Sequence, residues 1–294
     1  MRTRAIVAAV VSLAVVAAVG TYLRQLGDDV DLPLTMPDRE CVVQGAAQDG
    51  PAGPTRRLVL GSSQMANAAT IAAVGIRRDM PEQAVVVALA TAFQESGLEN
   101  LPGGDRDSVG LFQQRPSQGW GTVEQIRDPR IAAGKFYNAL KKVRGWERMR
   151  VTDAAQAVQR SAYPQAYQKW ADESLVLAEA LLGKTTGAVT CTVARNPVKR
   201  GSAAAADLTA GLLLDWGRVE MSSPAELPGL MVAAATTQIG WRYAHWLVSH
   251  AADHGVKRVR FGDLQWTANE GTWTRIAAGQ SDQQVVVAEV FADA

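Results

Sequence analysis

One stretch of the chain sets both its expected architecture and its expected chemistry: Gln94-Glu-Ser-Gly-Leu-Glu-Asn-Leu-Pro-Gly-Gly-Asp-Arg-Asp-Ser-Val-Gly-Leu-Phe-Gln-Gln-Arg-Pro116. The apolar residues before it, from Val85 to Phe93, repeat at helical spacing and predict a buried helix. Gly97 is placed to end that helix. From Leu98 to Thr122 the chain is rich in Gly, Asp, Ser and Pro, which predicts turns around a short hairpin. Glu95 is therefore expected at the end of a buried helix, beside a polar loop.

Helical patterns lie on both sides of this loop. Before it, the sequence predicts a helix over Met65–Ile76 and a second helix with Pro81 in its first turn. After it, apolar spacing predicts helices at Pro129–Val143, Thr152–Ala162 and Pro164–Leu182, the second with Thr152 as its cap. Together these elements predict a mainly α domain over residues 58–182, with the helices arranged around the polar loop.

A smaller α+β domain is expected at residues 207–294, after a Gly-, Ala- and Thr-rich linker at 183–206. Asp207–Trp216 predicts a helix, and Val256–Phe261 and Val285–Phe291 predict strands. The predicted helix Ile239–His254 carries all three histidines of the chain. Of these, His250 and His254 share a helix face, but no third ligand has suitable spacing. We therefore expect no metal and no other cofactor.

The charge of the chain argues against one class of partner. Its 294 residues carry a formal net charge of +1, and the Lys and Arg residues are scattered. A nucleic-acid groove requires clustered cations. We therefore expect no nucleic-acid partner.

The N-terminus predicts a membrane anchor. Arg2 and Arg4 precede an apolar run from Ala5 to Leu23, which is close to the ~20 residues that span a bilayer. The sequence therefore predicts a single-pass protein with a transmembrane helix within residues 1–26 and an extracytoplasmic stalk at 27–57. A cleaved signal peptide, which would give a secreted protein, is the alternative.

Under either alternative the rest of the chain is exported, and export bears on whether the two cysteines form a disulfide. Cys41 and Cys191 are the only cysteines, and an exported protein meets an oxidising compartment. We therefore expect a disulfide that fastens the segment before the helical domain to the segment after it.

Glu95 has the surroundings of a general acid. A carboxylate in the last turn of a helix lies near the negative end of the helix dipole, and Phe93 and Leu98 are apolar neighbours. Both effects favour the protonated form, which a general acid needs. The loop that follows supplies polar groups, two consecutive glycines and an indole, Trp120, that is suited to stack on a sugar. A surface glutamate followed by an ordinary turn is the alternative.

Three motifs give the chain a resemblance to a known family. Glu95-Ser96 and Ser108-Val-Gly-Leu-Phe-Gln113 resemble the Glu-Ser and Gly-Leu-Met-Gln motifs of soluble lytic transglycosylases, in the goose-type lysozyme-like superfamily. Gln159-Arg-Ser-Ala-Tyr-Pro-Gln-Ala-Tyr167 stands where that family has Ala-Tyr-Asn. The string Gly104–Gly121 also resembles membrane-anchored, lysozyme-like proteins of actinobacteria. The likeness covers residues 58–182, with Phe112 in place of Met and Pro164 in place of Asn.

The resemblance implies cleavage of peptidoglycan glycan strands at the MurNAc–GlcNAc β-1,4 bond. Glu95 would protonate the bridging oxygen and then act as base. A lytic transglycosylase needs only this carboxyl group, whereas an inverting muramidase needs a second one, for which Asp105 and Asp107 are the candidates. The expected substrate-binding residues are Ser96, Ser108, Gly110, Gln113, Gln114, Trp120, Tyr163 and Tyr167.

A binding protein without activity is the alternative function. The same groove would then hold glycan for a cell-envelope, secretion or conjugation complex, whose protein partners the sequence does not identify. This alternative predicts glycan binding without turnover.

Overall fold

The computed structural model describes residues 40–45, 56–193, 197–224, 227–277 and 282–293. Over these ranges the chain is an α+β fold with nine α-helices and two antiparallel sheets. The predicted fold, a mainly α domain with a smaller α+β domain and a transmembrane helix, is therefore wrong. Short strands before and after the helical segment pair with each other and form a sheet that the sequence did not predict. The domain boundaries proposed above stay predictions.

Two long helices form the centre of the part that contains Glu95: α1 (Ser62–Arg77) and α2 (Glu82–Ser96). α2 is buried from Ala84 to Phe93, as expected of a helix that is apolar on all sides. It ends at Gly97, which adopts a left-handed conformation with φ 64° and donates its N–H to Phe93 O at 3.0 Å. The predicted helix end is confirmed, and it leaves Glu95 in the last turn.

Four more helices follow: α3 (Val123–Ile126), α4 (Pro129–Leu140), α5 (Val151–Gln159) and α6 (Ala171–Leu181). Single 3₁₀ turns lie between them at Pro116–Gln118, Trp146–Arg148 and Gln168–Trp170. α4 begins at Pro129 as predicted, and Asp128 caps it by accepting from the N–H groups of Arg130 and Ile131 at 2.8 and 3.3 Å. α5 and α6 both pack against α2.

Four local predictions in this part are wrong. α5 ends at Gln159 rather than at residue 162, because Arg160 is left-handed with φ 55°. Thr152 is not the cap of α5, since it is buried and its hydroxyl donates to Pro164 O at 2.6 Å. The last helix begins at Ala171, after a 3₁₀ turn, and not at Pro164. In the polar loop, a single bridge between Val109 and Gln114 replaces the expected hairpin.

The first sheet has the order β2-β1-β3 and is formed by β1 (Glu40–Gln44), β2 (Arg57–Gly61) and β3 (Val189–Cys191). Cys41 in β1 lies opposite Cys191 in β3, with their Cα atoms 4.0 Å apart, and the two form a disulfide. The predicted disulfide is confirmed. It joins strands that are separated by 150 residues in the sequence.

The remaining helices are α7 (Gly201–Trp216), α8 (Thr237–Ser249) and α9 (Ala251–His254). They accompany a second sheet of β4 (Met221–Ser222), β5 (Gly229–Ala233), β6 (Val256–Gly262), β7 (Leu264–Thr267), β8 (Trp273–Arg275) and β9 (Asp282–Val290), in the order β4-β5-β9-β6-β7-β8. The two predicted strands correspond to β6 and β9. α8 packs on both of them, and Trp241 meets Phe261 edge to face at 5.3 Å.

A buried carboxylate connects this part of the fold to the helices around Glu95. Asp215 at the end of α7 is fully buried, and its Oδ2 accepts from Thr70 Oγ1 in α1 and from Trp246 Nε1 in α8, both at 2.8 Å. The Arg130 guanidinium at the start of α4 lies 2.5 Å from Oδ1. His250 Nε2 lies 3.3 Å from Thr70 Oγ1. One carboxylate therefore links side chains from three further helices.

The membrane prediction is wrong for the chain as described. In the ranges given above, no helix has the length and apolar character needed to cross a membrane. The anchor predicted within residues 1–26 lies outside the described residues, as does most of the stalk predicted at 27–57.

Candidate functional site

A groove of about 1270 Å³ opens where α2 ends. Glu95 lies in it at the end of α2, and the polar loop contributes one side of the lining. Lys135, Asn138 and Ala139 add one face of α4, and the last turn of α5 with the segment that follows it adds a further part. The groove therefore lies beside the residue from which the sequence analysis began.

The Glu95 carboxylate is half-buried and held by two donors. Its Oε1 accepts from Tyr167 Oη at 2.7 Å and from Gln159 Nε2 at 3.0 Å. Within the described part of the chain, no hydrogen bond reaches Oε2. Because both donors use the same oxygen, the carboxyl group is oriented and its second oxygen is left free.

Tyr167 stays protonated and so remains a hydrogen-bond donor to this carboxylate. Its side chain is fully buried. Burial raises the pKa of Tyr167 well above its ordinary value, and the negative charge of Glu95 and the hydrogen bond between the two groups raise it further. The phenol therefore keeps its proton throughout the ordinary pH range and donates a hydrogen bond to Glu95.

Gln159 is the residue that the sequence analysis missed. It is the last residue of α5, and its Nε2 donates both to Glu95 Oε1 and to Phe112 O, the latter at 2.8 Å. The amide thus ties the carboxylate, the polar loop and α5 together. The available signal was its position at the start of the string that also holds Tyr163 and Tyr167.

The two candidate second carboxylates lie in different surroundings. Asp107 accepts from the Ser117 N–H at 2.8 Å, from Arg115 Nε at 2.7 Å and from Ser117 Oγ at 3.0 Å. These hydrogen bonds, with the Ser117 backbone first, hold the pKa of Asp107 well below its usual range. Asp105 lines the groove, is exposed, and lies 4.0 Å from the Arg106 Nε. Asp107 therefore organises the loop, and only Asp105 faces the groove.

Two of the expected binding residues have structural positions instead. Ser96 Oγ donates to Ala92 O at 3.0 Å and to Leu111 O at 2.7 Å, so it ties the loop to α2. Gly110 has φ 76°, and a Cβ there would lie 2.7 Å from Ile126 O. Glycine is required because the loop passes close to the backbone of α3. Neither residue lines the groove.

Five of the remaining expected binding residues line the groove: Ser108, Gln113, Gln114, Trp120 and Tyr163. Tyr167 does not line it and contacts Glu95 instead. The Tyr163 side chain is open to solvent, since the residue is 74% exposed. Gln114 is buried and donates from Nε2 to Ala132 O at 3.2 Å. Its Oε1 is buried too and has no hydrogen-bond partner among the described residues.

Metal ligation has no support in the part of the chain that the structure describes. Over those residues, no group of three or more His, Cys, Asp and Glu side chains is placed to hold a metal ion. His245 is fully buried, and Ala188 N donates to its Nε2 at 3.0 Å. His254 Nδ1 lies 2.6 Å from Asp207 Oδ2. The histidines thus have protein partners within the fold.

Comparison with known proteins identifies no family for this chain. No protein-family model matches the chain, and no curated protein matches it. The function must therefore be argued from the groove itself.

Proposed function

We propose that this chain cleaves peptidoglycan glycan strands at the MurNAc–GlcNAc β-1,4 bond, with Glu95 as the general acid and then the base. The observation that carries the proposal is the pair of donors on one carboxylate oxygen. Because Tyr167 and Gln159 both occupy Oε1, a proton on Glu95 lies on Oε2. A bridging oxygen within hydrogen-bond reach of Oε2 would receive that proton directly.

The groove suits a polymer. Its volume of about 1270 Å³ exceeds the ~300–1,000 Å³ usual for small-molecule pockets. Trp120 and Tyr163 provide aromatic surface against which sugar rings can stack. These features support a bound run of sugars extending from Glu95 along α4.

The carboxylates favour transglycosylation over inverting hydrolysis. Hydrolysis of that type needs a second carboxylate that activates water about 6.5–9.5 Å from the acid. Asp107 is committed to Arg115 and Ser117, and Asp105 is exposed beside Arg106. The intramolecular route needs only Glu95.

In that route, Glu95 gives its proton to O4 of the departing GlcNAc as the C1–O4 bond breaks. The Glu95 carboxylate then takes the proton of the muramyl 6-hydroxyl, whose oxygen bonds to C1. The product is a 1,6-anhydromuramyl end, and Glu95 is protonated again. No water is consumed.

Digestion of purified sacculi tests the proposal. The full chain should release soluble muropeptides that are one water lighter than hydrolysis products by mass spectrometry. Glu95→Gln keeps the shape of the side chain but cannot deliver a proton, so release should stop. Asp105→Asn is the matched control and should retain release by the transglycosylase route.

Three outcomes are informative. Equal release by wild type and Glu95→Gln would reject catalysis at this site. Products of full mass, lost with Asp105→Asn, would establish hydrolysis instead. Glycan binding without any release would establish the non-catalytic binding module.

A further inference from the structure

The groove carries an excess of positive charge. Five cationic residues line it, whereas its lining carboxylates are Glu95 and Asp105 alone among the described residues. The cations are Arg106, Arg115, Lys135, Lys142 and Arg160. A neutral glycan has no charge that such a lining would complement.

Three of the five cations have protein partners. Arg115 Nε donates to Asp107 Oδ1 at 2.7 Å, and Arg106 lies 4.0 Å from Asp105. Lys135 Nζ donates to Trp120 O and to Gln125 Oε1. These groups hold the loop against α4 or balance a neighbouring charge.

The other two cations have no such partner. Lys142 and Arg160 are exposed, and neither side chain forms a hydrogen bond or ion pair with any residue that the structure describes. Arg160 directly follows Gln159, which binds the Glu95 carboxylate. Lys142 lies just beyond α4 and extends the row of Lys135, Asn138 and Ala139 along the groove. Both charges therefore face the groove unneutralised.

The backbone at Arg160 points to a role for its side chain. Arg160 has φ 55°, a left-handed conformation at a helix end that favours Gly or Asn. Arg106 and Gln113, with φ 57° and 44°, are left-handed non-glycine residues of the same groove. Strained conformations of this kind collect where a particular side chain is needed.

We propose that Lys142 and Arg160 bind carboxylates carried by the glycan, so that the groove selects acidic glycan over neutral glycan. This inference rests on the proposed glycan-binding role of the groove. In peptidoglycan the carboxylates come from two sources, the muramyl lactyl group and the stem peptide. The recognising chemistry is the same for both, a cation placed beside a carboxylate.

The test is a binding assay with three insoluble or immobilised glycans. These are sacculi with their peptides, the same strands stripped of peptide by an amidase, and chitin, which is neutral. The full chain carrying Lys142→Gln and Arg160→Gln should bind sacculi roughly five-fold more weakly than wild type, as expected from the loss of two exposed ion pairs. Its binding to chitin should be unchanged, and higher ionic strength should narrow the difference on sacculi.

A charge-matched control distinguishes binding by the cations of the groove from a general effect of net charge on binding. Arg218 and Lys257 are exposed cations outside the groove lining, so Arg218→Gln with Lys257→Gln should leave binding unchanged. Persistent weakening on stripped strands would assign the lactyl carboxylate, and weakening confined to intact sacculi would assign the stem peptide. The proposal would be overturned if the variant bound chitin more weakly by the same factor, or if its binding to both acidic glycans were unchanged. It would also be overturned if the control variant lost as much binding.

One further variant separates recognition from folding. Arg160→Gly suits the left-handed conformation, so its melting temperature should equal or exceed that of wild type while sacculus binding weakens. A lower melting temperature with unchanged binding would show that Arg160 has a structural role instead. Because the assay measures binding, it is independent of catalysis: a chain that selects acidic glycan without cleaving it keeps this inference and rejects the proposed activity.

Discussion

The buried carboxylate of Asp215 should contribute strongly to stability. Asp215→Ala would remove the acceptor of Thr70 Oγ1 and Trp246 Nε1, two donors in buried residues. A buried donor left without a partner costs about 1–3 kcal/mol, which applies in full to Trp246 Nε1, whereas Thr70 Oγ1 still has His250 Nε2 at 3.3 Å. The Arg130 side chain remains 26% exposed, so water relieves part of its lost ion pair. We expect a loss of about 4 kcal/mol, within the ~3–5 kcal/mol typical of a broken buried pair.

Chemical denaturation measures this loss as the change in the free energy of unfolding. The total for a domain is about 5–15 kcal/mol, so the variant should unfold at a much lower denaturant concentration. Asp207→Ala is the control, because Asp207 is also an aspartate of α7 paired with a cation and a histidine but is 38% exposed. It should cost about 0–1 kcal/mol. A loss below about 1 kcal/mol for Asp215→Ala would refute the reasoning, since it would mean that the buried donors find other partners.

Three further predictions concern the acid, the disulfide and pH. Tyr167→Phe removes a charge-assisted donor from Glu95 and should slow cleavage of sacculi about 10–100-fold. Tyr163→Phe is the control, because it alters an exposed hydroxyl and should change the rate little. Equal rates for both variants would contradict the role assigned to Tyr167. Reduction of Cys41–Cys191 opens a loop of 150 residues and should lower the free energy of unfolding by about 3–5 kcal/mol, measured by denaturation with and without reductant. Burial lowers the pKa of His245 to about 4 from 6.5, so the unfolded chain binds more protons between these values. The stability contribution of His245 should be complete above pH 6.5 and should be lost as the pH falls toward about 4. Unfolding curves measured across that interval would show this loss. A wild-type free energy of unfolding that does not change with pH there would contradict the assignment.

Local patterns predicted the elements whose cause is local. The apolar run of α2 and the glycine that follows it define the helix and its end, and Pro129 with Asp128 defines the start of α4. The disulfide was also predictable, because two cysteines in the whole chain leave only one intramolecular pair. In each case the physical cause lies in a few neighbouring residues or in the composition.

The first sheet could not be predicted in the same way. β1 and β2 have five residues each and β3 has three, which is too short for a reliable alternation pattern. The pairing of β1 with β3 joins residues 150 positions apart, which no local pattern in the sequence relates to each other. The Asp215 network has the same origin, because its partners come from α1, α4 and α8.

The end of α5 shows why helical periodicity did not predict that Gln159 and Tyr167 both bind Glu95. If α5 continued to residue 162, as its pattern predicts, the chain would not turn at Arg160, and Tyr167 and Gln159 would not meet at Glu95 Oε1. A left-handed residue other than glycine costs about 1–2 kcal/mol. Full burial of a large side chain such as Tyr167 stabilises by about 1.5–3 kcal/mol, which offsets that cost. The orientation of the carboxylate is therefore set by core packing rather than by local propensity, and only the folded chain shows it.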